Sequence, residues 1–305
     1  MIAVTNISKR YGAVQALSDV RFSVDRGELF GLIGPDGAGK TSLLRILATL
    51  LLPDAGEATI DGLNTVADYR AVRRRIGYMP GRFSLYRDLT VEENLRFFAS
   101  IFGTTVRENE AFIRPIFAPL EPFRRRRAGA LSGGMKQKLA LSCALIHRPD
   151  ALLLDEPTTG VDALSRKEFW EMLHELKQHG IAILVSTPYM DEASRCDRVA
   201  LIRRGQTGQI DTPQQVVAQF PHRLFAVRTD NAYRLACDLP SWPTLHAAYP
   251  FGACFHVIDR RPHIDISAEL TAFLHQRGHS AVECLPATPT MEDCFMEWMK
   301  RDESE

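Results

Sequence analysis

The chain has 305 residues, 45% of them apolar, enough to bury a full α/β core and leave a remainder for a small second domain. Lysine plus arginine and aspartate plus glutamate both number 37, so a net charge of zero gives no global attraction to nucleic acid or to an anionic membrane. The six cysteines follow neither C-x-x-C nor zinc-like spacing and read as reduced thiols, and no apolar stretch is long enough for a signal core or a membrane span.

Residues 1 to 28 read as an edge sheet, with Val20, Phe22 and Val24 alternating against polar neighbours and Tyr11 and Gly12 in the turn before them. An exposed aromatic such as Tyr11 suits stacking on an adenine ring. The apolar strand Leu29 to Ile33 then runs into G-P-D-G-A-G-K-T, Gly34 to Thr41, which fits G-x-x-x-x-G-K-[ST] between a strand and a helical run, Ser42 to Leu52. Gly34, Gly37 and Gly39 allow positive φ and close approach, so successive backbone N–H groups converge on phosphate oxygens at a helix start. Asp36, Ala38 and Ser42 belong to the same cradle. Lys40 is expected between the β- and γ-phosphates, and the Thr41 hydroxyl on Mg²⁺.

Ser42 to Leu52 is apolar nearly all round, as a helix buried against a sheet should be. Short strands at Ala58 to Ile60 and Ile76 to Met79 follow, and the basic runs Arg73 to Arg75 and Arg124 to Arg127 read as solvated faces. Glu92 to Phe102 and Arg107 to Phe117 read as amphipathic helices of a helical insert spanning about 81–130. The insert ends in A-L-S-G-G-M-K-Q-K-L, where Ser132 caps a helix that starts with Gly133 and Gly134, carries Gln137 and offers free N–H groups to an anion. Ala151 to Asp155 is a buried parallel strand that closes in Asp155 and Glu156. Chemistry on a nucleoside triphosphate needs one carboxylate for the Mg²⁺ shell, the role that suits Asp155, and a group to orient or deprotonate water, the role that suits Glu156.

A helix, Ala163 to His179, and an apolar strand, Ile181 to Thr187, continue the alternation that indicates a mostly parallel sheet with its ligand beyond the carboxyl ends. Val199 to Ile202 and Gly208 to Ile210 read as strands, and Thr212 to Phe220 as the helix closing a first domain of residues 1–220. In 221–305, strands at Leu224 to Val227, Gly252 to Ile258 and Val282 to Leu285 alternate with helices at Asn231 to Leu239, Ser267 to Arg277 and Met291 to Lys300, which suits a small α+β domain. His256, His263 and His275 lie apart, and no metal role is expected of them.

With these pieces assembled, residues 1 to 220 resemble the ATP-binding cassette of an ABC transporter. The resemblance rests on Tyr11, the phosphate loop Gly34 to Thr41, the signature Leu131 to Gln137, the strand and acid pair Leu152 to Glu156, Asp162, and S-T-P-Y-M-D-E-A from Ser186 to Ala193. The wording G-Y-M-P at Gly77, R-F-S-L-Y at Arg82 and the C-terminal P-T-M-E-D-C-F is similar to drug-export ATPases of the ABC-2 type, some of whose relatives carry two cassettes in one chain. The fold implied is a P-loop NTPase ABC cassette: a mostly parallel sheet core, an antiparallel β subdomain and a helical subdomain, followed by a small C-terminal α+β domain. The cofactors implied are ATP and Mg²⁺. The partners implied are a second cassette, as a homodimer, a heterodimer or a tandem in a longer chain, and an integral membrane permease subunit that would hold this chain at the cytoplasmic face of an inner or plasma membrane. In that arrangement Ser132 to Gly134 touch the γ-phosphate of a nucleotide held by the mate, and Phe83, Tyr86 and their neighbours pass motion to the permease.

Two positions depart from the family pattern. Gly81 stands where most relatives have glutamine after G-Y-M-P, and Pro188 stands where most have histidine after S-T, so neither offers a side-chain donor. The expectation is a subunit that binds MgATP while its own site turns over slowly and its signature completes the site of a partner. A nucleotide-sensing regulatory cassette that never hydrolyses is the alternative reading. A non-transport ABC ATPase of the DNA-repair or translation kind is disfavoured, because the insert is too short for a long coiled coil and only one cassette is present. The charged tail R-D-E-S-E suits either a natural end or a point before a second cassette.

Overall fold

In the computed structural model, which describes residues 1–301, the chain begins with the antiparallel strands β1 (Ile2–Tyr11) and β2 (Val14–Val24), joined through a turn at Gly12. The pairing sets Ile2 against Val24, Val4 against Phe22 and Ile7 against Val20, so the alternating apolar residues share one buried face. The tail beyond Arg301 lies outside the described residues.

Next come β3 (Leu29–Ile33), α1 (Lys40–Leu47), β4 (Ala55–Ile60), β5 (Leu63–Asn64), α2 (Tyr69–Arg75) and β6 (Ile76–Met79). The expected helix from Ser42 to Leu52 therefore ends early. Thr49 takes a left-handed φ of 60°, the N–H groups of Leu50 and Leu51 turn back onto the Arg45 carbonyl, and the Leu50 and Leu52 side chains emerge 59% and 64% exposed. The basic run Arg73 to Arg75, read as solvated, closes a helix and makes specific ties: Arg73 donates to the Thr49 hydroxyl at 2.7 Å and Arg75 to Asp61. In the second run Arg124 reaches Glu92 at 3.5 Å, and Arg126 lies over the Phe123 ring.

The helical layer consists of α3 (Val91–Ile101), α4 (Val106–Phe117), two short 3-10 turns and α5 (Gly133–Leu145), with α3 and α4 both packed on α5. Thr90 with Glu93 and Thr105 with Glu108 form reciprocal capping boxes that fix where α3 and α4 begin. Asn94, fully buried on α3, accepts from Tyr86 N and donates to the carbonyls of Tyr86, Leu89 and Thr90. That one side chain staples the loop after β6 to the helical layer.

The remaining elements up to the end of the first unit are β7 (Ala151–Asp155), α6 (Ala163–Gln178), β8 (Ala182–Thr187), α7 (Met190–Ala193), β9 (Arg198–Arg203) and β10 (Gln206–Asp211). One sheet is antiparallel, in the order β2-β1-β4-β5. The other runs β10-β9-β3-β8-β7-β6, parallel throughout except for the antiparallel edge strand β10. Every residue of β3, β7 and β8 is buried, which is why these strands read as unbroken apolar runs rather than alternating ones. Among the described residues no helix is long and apolar enough to cross a membrane.

The chain divides into two compact units between Gln214 and Gln215, inside α8 (Pro213–Ala218), whereas the sequence placed the division after Phe220. The second unit continues with β11 (Leu224–Arg228), α9 (Ala232–Asp238), β12 (Leu245–Phe251), β13 (Cys254–Asp259), α10 (Ser267–Gln276), β14 (Glu283–Ala287) and α11 (Met291–Arg301). Its sheet is antiparallel, β12-β13-β11-β14. β12 is an addition to the sequence reading. Pro250 argues against a central strand, but β12 sits at the sheet edge, where a missing N–H leaves no ladder bond unmade. One face of the sheet packs Phe225, Val227 and Val257 against Leu235, Leu270 and Leu274, and the other packs Leu224, Ala247, Tyr249 and Ile258 with Phe220 and Met296.

Candidate nucleotide-binding site

β8 lies between β3 and β7, in register so that Ile33 stands beside Thr187 and Asp155 beside Ser186. The phosphate loop leaves β3 and the acid pair leaves β7 at the same, carboxyl edge of the sheet. Two glycines of the loop are demanded by close approach. A Cβ on Gly34 would lie 2.1 Å from the Ile202 carbonyl oxygen, and one on Gly39, whose φ is 105°, would lie 2.4 Å from the Ala16 carbonyl oxygen. Gly37 also takes a positive φ, 76°, and has open space where a Cβ would be, so its backbone faces the cleft unobstructed.

Lys40, 3% exposed, points back under the loop. Its ammonium donates to the Gly34 and Pro35 carbonyls at 2.8 and 2.9 Å and stands 3.1 Å from a Glu156 carboxylate oxygen. The Thr41 hydroxyl donates to Asp155 at 3.1 Å, and the Ser186 hydroxyl donates to the same oxygen at 2.9 Å. Glu156 itself has a left-handed φ of 49°, held by its N–H on the Ser186 carbonyl, which aims its carboxylate into the cleft rather than along the strand. The cleft, about 450 Å³, is lined by Tyr11, Ala16, the loop from Asp36 to Ser42, and Glu156. Tyr11 is 46% exposed at its rim, with its hydroxyl 3.4 Å from that of Ser42. Asp36 is exposed on the loop.

The donor set fits a triphosphate with its magnesium. Buried Lys40 has only oxygen atoms as polar neighbours, and the open glycine backbone at a helix start suits phosphate oxygens. The hydroxyl of Thr41 beside the carboxylate of Asp155 offers hard oxygen ligands of the kind Mg²⁺ takes.

The signature residues stand apart from this cleft. Ser132 caps α5, accepting from Met135 N at 3.3 Å, and is exposed; Gly133 is exposed beside it, and Gln137 is half-buried one turn on. None of Ser132, Gly133, Gly134 and Gln137 lines the cleft that holds Lys40. Gly134 packs against the start of α6, where a Cβ would meet the Ser165 hydroxyl at 2.4 Å, and Asp162 caps that helix by accepting from Ser165 N at 3.0 Å. Hydrogen bonds from the Ser165 backbone and side chain hold the Asp162 carboxyl below its usual range.

Comparison with known proteins identifies the family. The family model described as ABC transporter matches residues 17–159. The Nod factor export ATP-binding protein I of Sinorhizobium fredii is 35% identical over 314 residues, covering 99% of this chain and 86% of that protein. The chain is a member of the ABC transporter ATP-binding family. The probable multidrug ABC transporter ATP-binding protein YbhF of Escherichia coli is 42% identical over 221 residues, 72% of this chain, and the match spans only 38% of that longer protein. Among solved structures, the ATP-binding subunit of an ABC transporter superposes with a TM-score of 0.66 at 34% identity, over 72% of this chain and 93% of that one. A bacterial ABC cassette determined as a dimer in a post-hydrolysis state bound to ADP and phosphate gives 0.63 at 26% identity, over 70% and 98%.

Of the two positions expected to depart from the family pattern, Gly81 passes close to Asp155. A Cβ on Gly81 would lie 3.1 Å from the Asp155 carbonyl oxygen and 3.7 Å from its carboxylate. Pro188 follows Thr187, whose hydroxyl donates to Glu192 at 2.5 Å and accepts from Tyr189 N at 3.0 Å. Two features here were not read from the sequence. Ser186 is a direct partner of Asp155, and Glu192, 1% exposed, collects Thr158 at 2.7 Å and Thr187, with Arg166 Nε at 3.6 Å. The one local signal for Ser186 is a hydroxyl residue at the end of an otherwise apolar parallel strand, which shows that it needs a partner and not which one.

Proposed function

We propose that this chain is the ATP-binding subunit of an ABC exporter, working at the cytoplasmic face of a membrane through a separate permease and pairing with a second cassette. The observation that carries the reading is the separation of parts. Lys40, Thr41, Asp155 and Glu156 converge on one site, while the exposed serine-glycine helix start at Ser132 does not line the cleft. A mate that caps this cleft with its own Ser132 to Gly134 makes use of both halves, and the dimeric cassettes among its structural relatives support that arrangement.

In this reading the loop amides and Lys40 hold the phosphates, Tyr11 meets the base, and Thr41 and Asp155 hold Mg²⁺, which supplies charge neutralisation on the phosphate oxygens. Glu156 orients or deprotonates the attacking water. Its carboxylate lies 3.1 Å from the Lys40 ammonium, so a phosphate that takes over Lys40 releases Glu156 for that task. Gly81 and Pro188 withhold two donors, and a donor aimed at developing charge is worth about 3 to 4 kcal/mol, which makes the chain's own site slow by about a hundredfold or more.

The names of the relatives speak of multidrug and Nod factor export; in this family arrangement the choice of cargo rests with the permease. A groove of about 380 Å³ between β6, α3 and α5, lined by Tyr78, Leu85, Phe98, Phe102 and His147, with exposed Leu50 and Ile101 on its border, suits a permease segment. Tyr86, 51% exposed and edge-on to Phe97, adds to that apolar surface.

Single-turnover hydrolysis of MgATP by the purified chain, with nucleotide binding measured in parallel and Lys40→Met as control, tests the proposal. Expected are binding that Lys40→Met abolishes and a rate well below that of an ordinary transporter ATPase. A rate equal to one would end the slow-site idea. Pairing on ATP with no phosphate release at all would favour the regulatory reading, for which Gly81 and Pro188 are the support.

A further inference from the structure

The second unit gathers three potential ligands that no sequence spacing announced. His222 lies in the segment that leads into β11, His246 in the edge strand β12, and Glu297 on α11. The His222 Nε2 stands 3.0 Å from one Glu297 carboxylate oxygen and the His246 Nε2 stands 2.9 Å from the other. The two rings approach to 4.7 Å at a tilt of 38°, and the ligand atoms of all three residues lie within 4.8 Å of one another. We propose that His222, His246 and Glu297 form a binding site for a borderline divalent transition metal, Zn²⁺ foremost, independent of the nucleotide cleft.

Two imidazoles and one carboxylate are the donors that Zn²⁺ and its neighbours in the first transition row prefer, whereas Mg²⁺ and Ca²⁺ seek oxygen alone. A tetrahedral ion about 2.0 to 2.1 Å from each ligand separates the ligand atoms by about 3.3 Å, so the hydrogen-bonded pairs at 2.9 and 3.0 Å draw apart by a few tenths of an ångström while the most distant ligand atoms, within 4.8 Å, draw closer. The framework is already packed. Phe220, two residues before His222, and Met296, next to Glu297, both pack on the face of the sheet that holds Ala247, next to His246. The Glu297 side chain is 8% exposed and that of His246 is 30% exposed, which leaves a path for the ion and room for a water as fourth ligand.

The protons set the strength. The Nδ1 of His222 is buried without a partner, so in the metal-free chain the neutral ring keeps its proton on Nε2 and donates it to Glu297. An ion takes the place of that proton and moves it to Nδ1, where no acceptor backs it, so affinity in the micromolar rather than the nanomolar range is expected. Binding fastens the entry segment and α11 to β12, which stabilises the second unit against unfolding.

The experiment uses the untagged full chain, dialysed against chelator and free of nucleotide and Mg²⁺. Expected are one equivalent of Co²⁺ giving visible d–d bands without the near-ultraviolet charge transfer of a thiolate ligand, and displacement of those bands by Zn²⁺. Zn²⁺ should also raise the unfolding midpoint of the second unit. Binding should weaken about tenfold or more in His246→Gln and in Glu297→Gln while ATP binding is untouched. No Co²⁺ or Zn²⁺ binding, or binding unchanged in His246→Gln, overturns the proposal and leaves the cluster as a hydrogen-bonded tie. If Glu297→Gln fails to fold, the more exposed His246→Gln decides.

Discussion

At position 81 the chain passes Asp155 without a side chain. The backbone there runs so close to Asp155 that a Cβ would sit 3.1 Å from its carbonyl oxygen, a contact that needs a shift of a few tenths of an ångström. On the proposed reading, a glutamine at that point would be aimed past Asp155 toward the attacking water, and a histidine at 188 would offer a donor to the γ-phosphate. The double variant Gly81→Gln, Pro188→His is therefore expected to raise single-turnover hydrolysis by about ten- to a hundredfold with little change in nucleotide affinity. An unchanged rate would mean that the slowness originates elsewhere. At this scale the phosphate loop was legible because its glycines and lysine are contiguous in sequence. The hold of Ser186 on Asp155 was not, since it depends on the register of two strands some thirty residues apart. Nor was the pairing of Lys40 with Glu156, which depends on a left-handed backbone at Glu156 that no local pattern encodes.

Among the elements, α3 depends on a buried amide as much as on its apolar face. Asn94 satisfies both main-chain groups of Tyr86, while the Leu89 and Thr90 carbonyls that it also reaches keep the N–H groups of Ala128 and of Asn94 itself, and each Tyr86 group left unmet in the interior costs about 1 to 3 kcal/mol. Asn94→Leu keeps the γ-branched shape and removes those bonds. Urea unfolding should show a loss of about 2 kcal/mol or more, and amide exchange should speed up at residues 84–90, while Mg-nucleotide binding stays within about twofold. Protection of the loop equal to the parent protein's would refute the staple. The capping boxes of α3 and α4 are local T-x-x-E patterns that the sequence reading passed over. The early end of α1 and the edge strand β12 were not legible: one turns on a left-handed Thr49, and the other on Pro250 being tolerable only where no neighbouring strand needs its N–H.

For the molecule as a whole, one acid-sensitive group can be placed in the second unit. In the second unit, burial raises the pKa of Asp259, but hydrogen bonds from Arg261, Thr244 and Trp242 outweigh it and bring the group from 3.8 down to about 2. A carboxyl lowered in the folded state adds stability that is complete above its unfolded pKa and fades as pH falls from about 4 toward 2, here about 2 kcal/mol. The Trp242 indole N–H, bonded to Asp259 at 2.8 Å, reports on it directly. Its resonance should shift over that window, and Asp259→Asn should flatten the acid slope of the second unit's unfolding; an identical slope would exclude the assignment. The overall plan was the most legible level of all, because fully buried parallel strands leave unbroken apolar runs and half-buried antiparallel ones leave alternation.

The contact between Gly134 and Ser165 leaves no clearance for even a methyl group. Two helix beginnings that touch this closely cannot slide past one another, so the first turns of α5 and α6 must travel as a single body. Any swing of α3 and α4 against the sheet then has to take its slack from the connecting backbone at Pro80 to Asp88 and Arg127 to Leu131, and stiffening those stretches should lock the cassette in one posture without touching a phosphate contact.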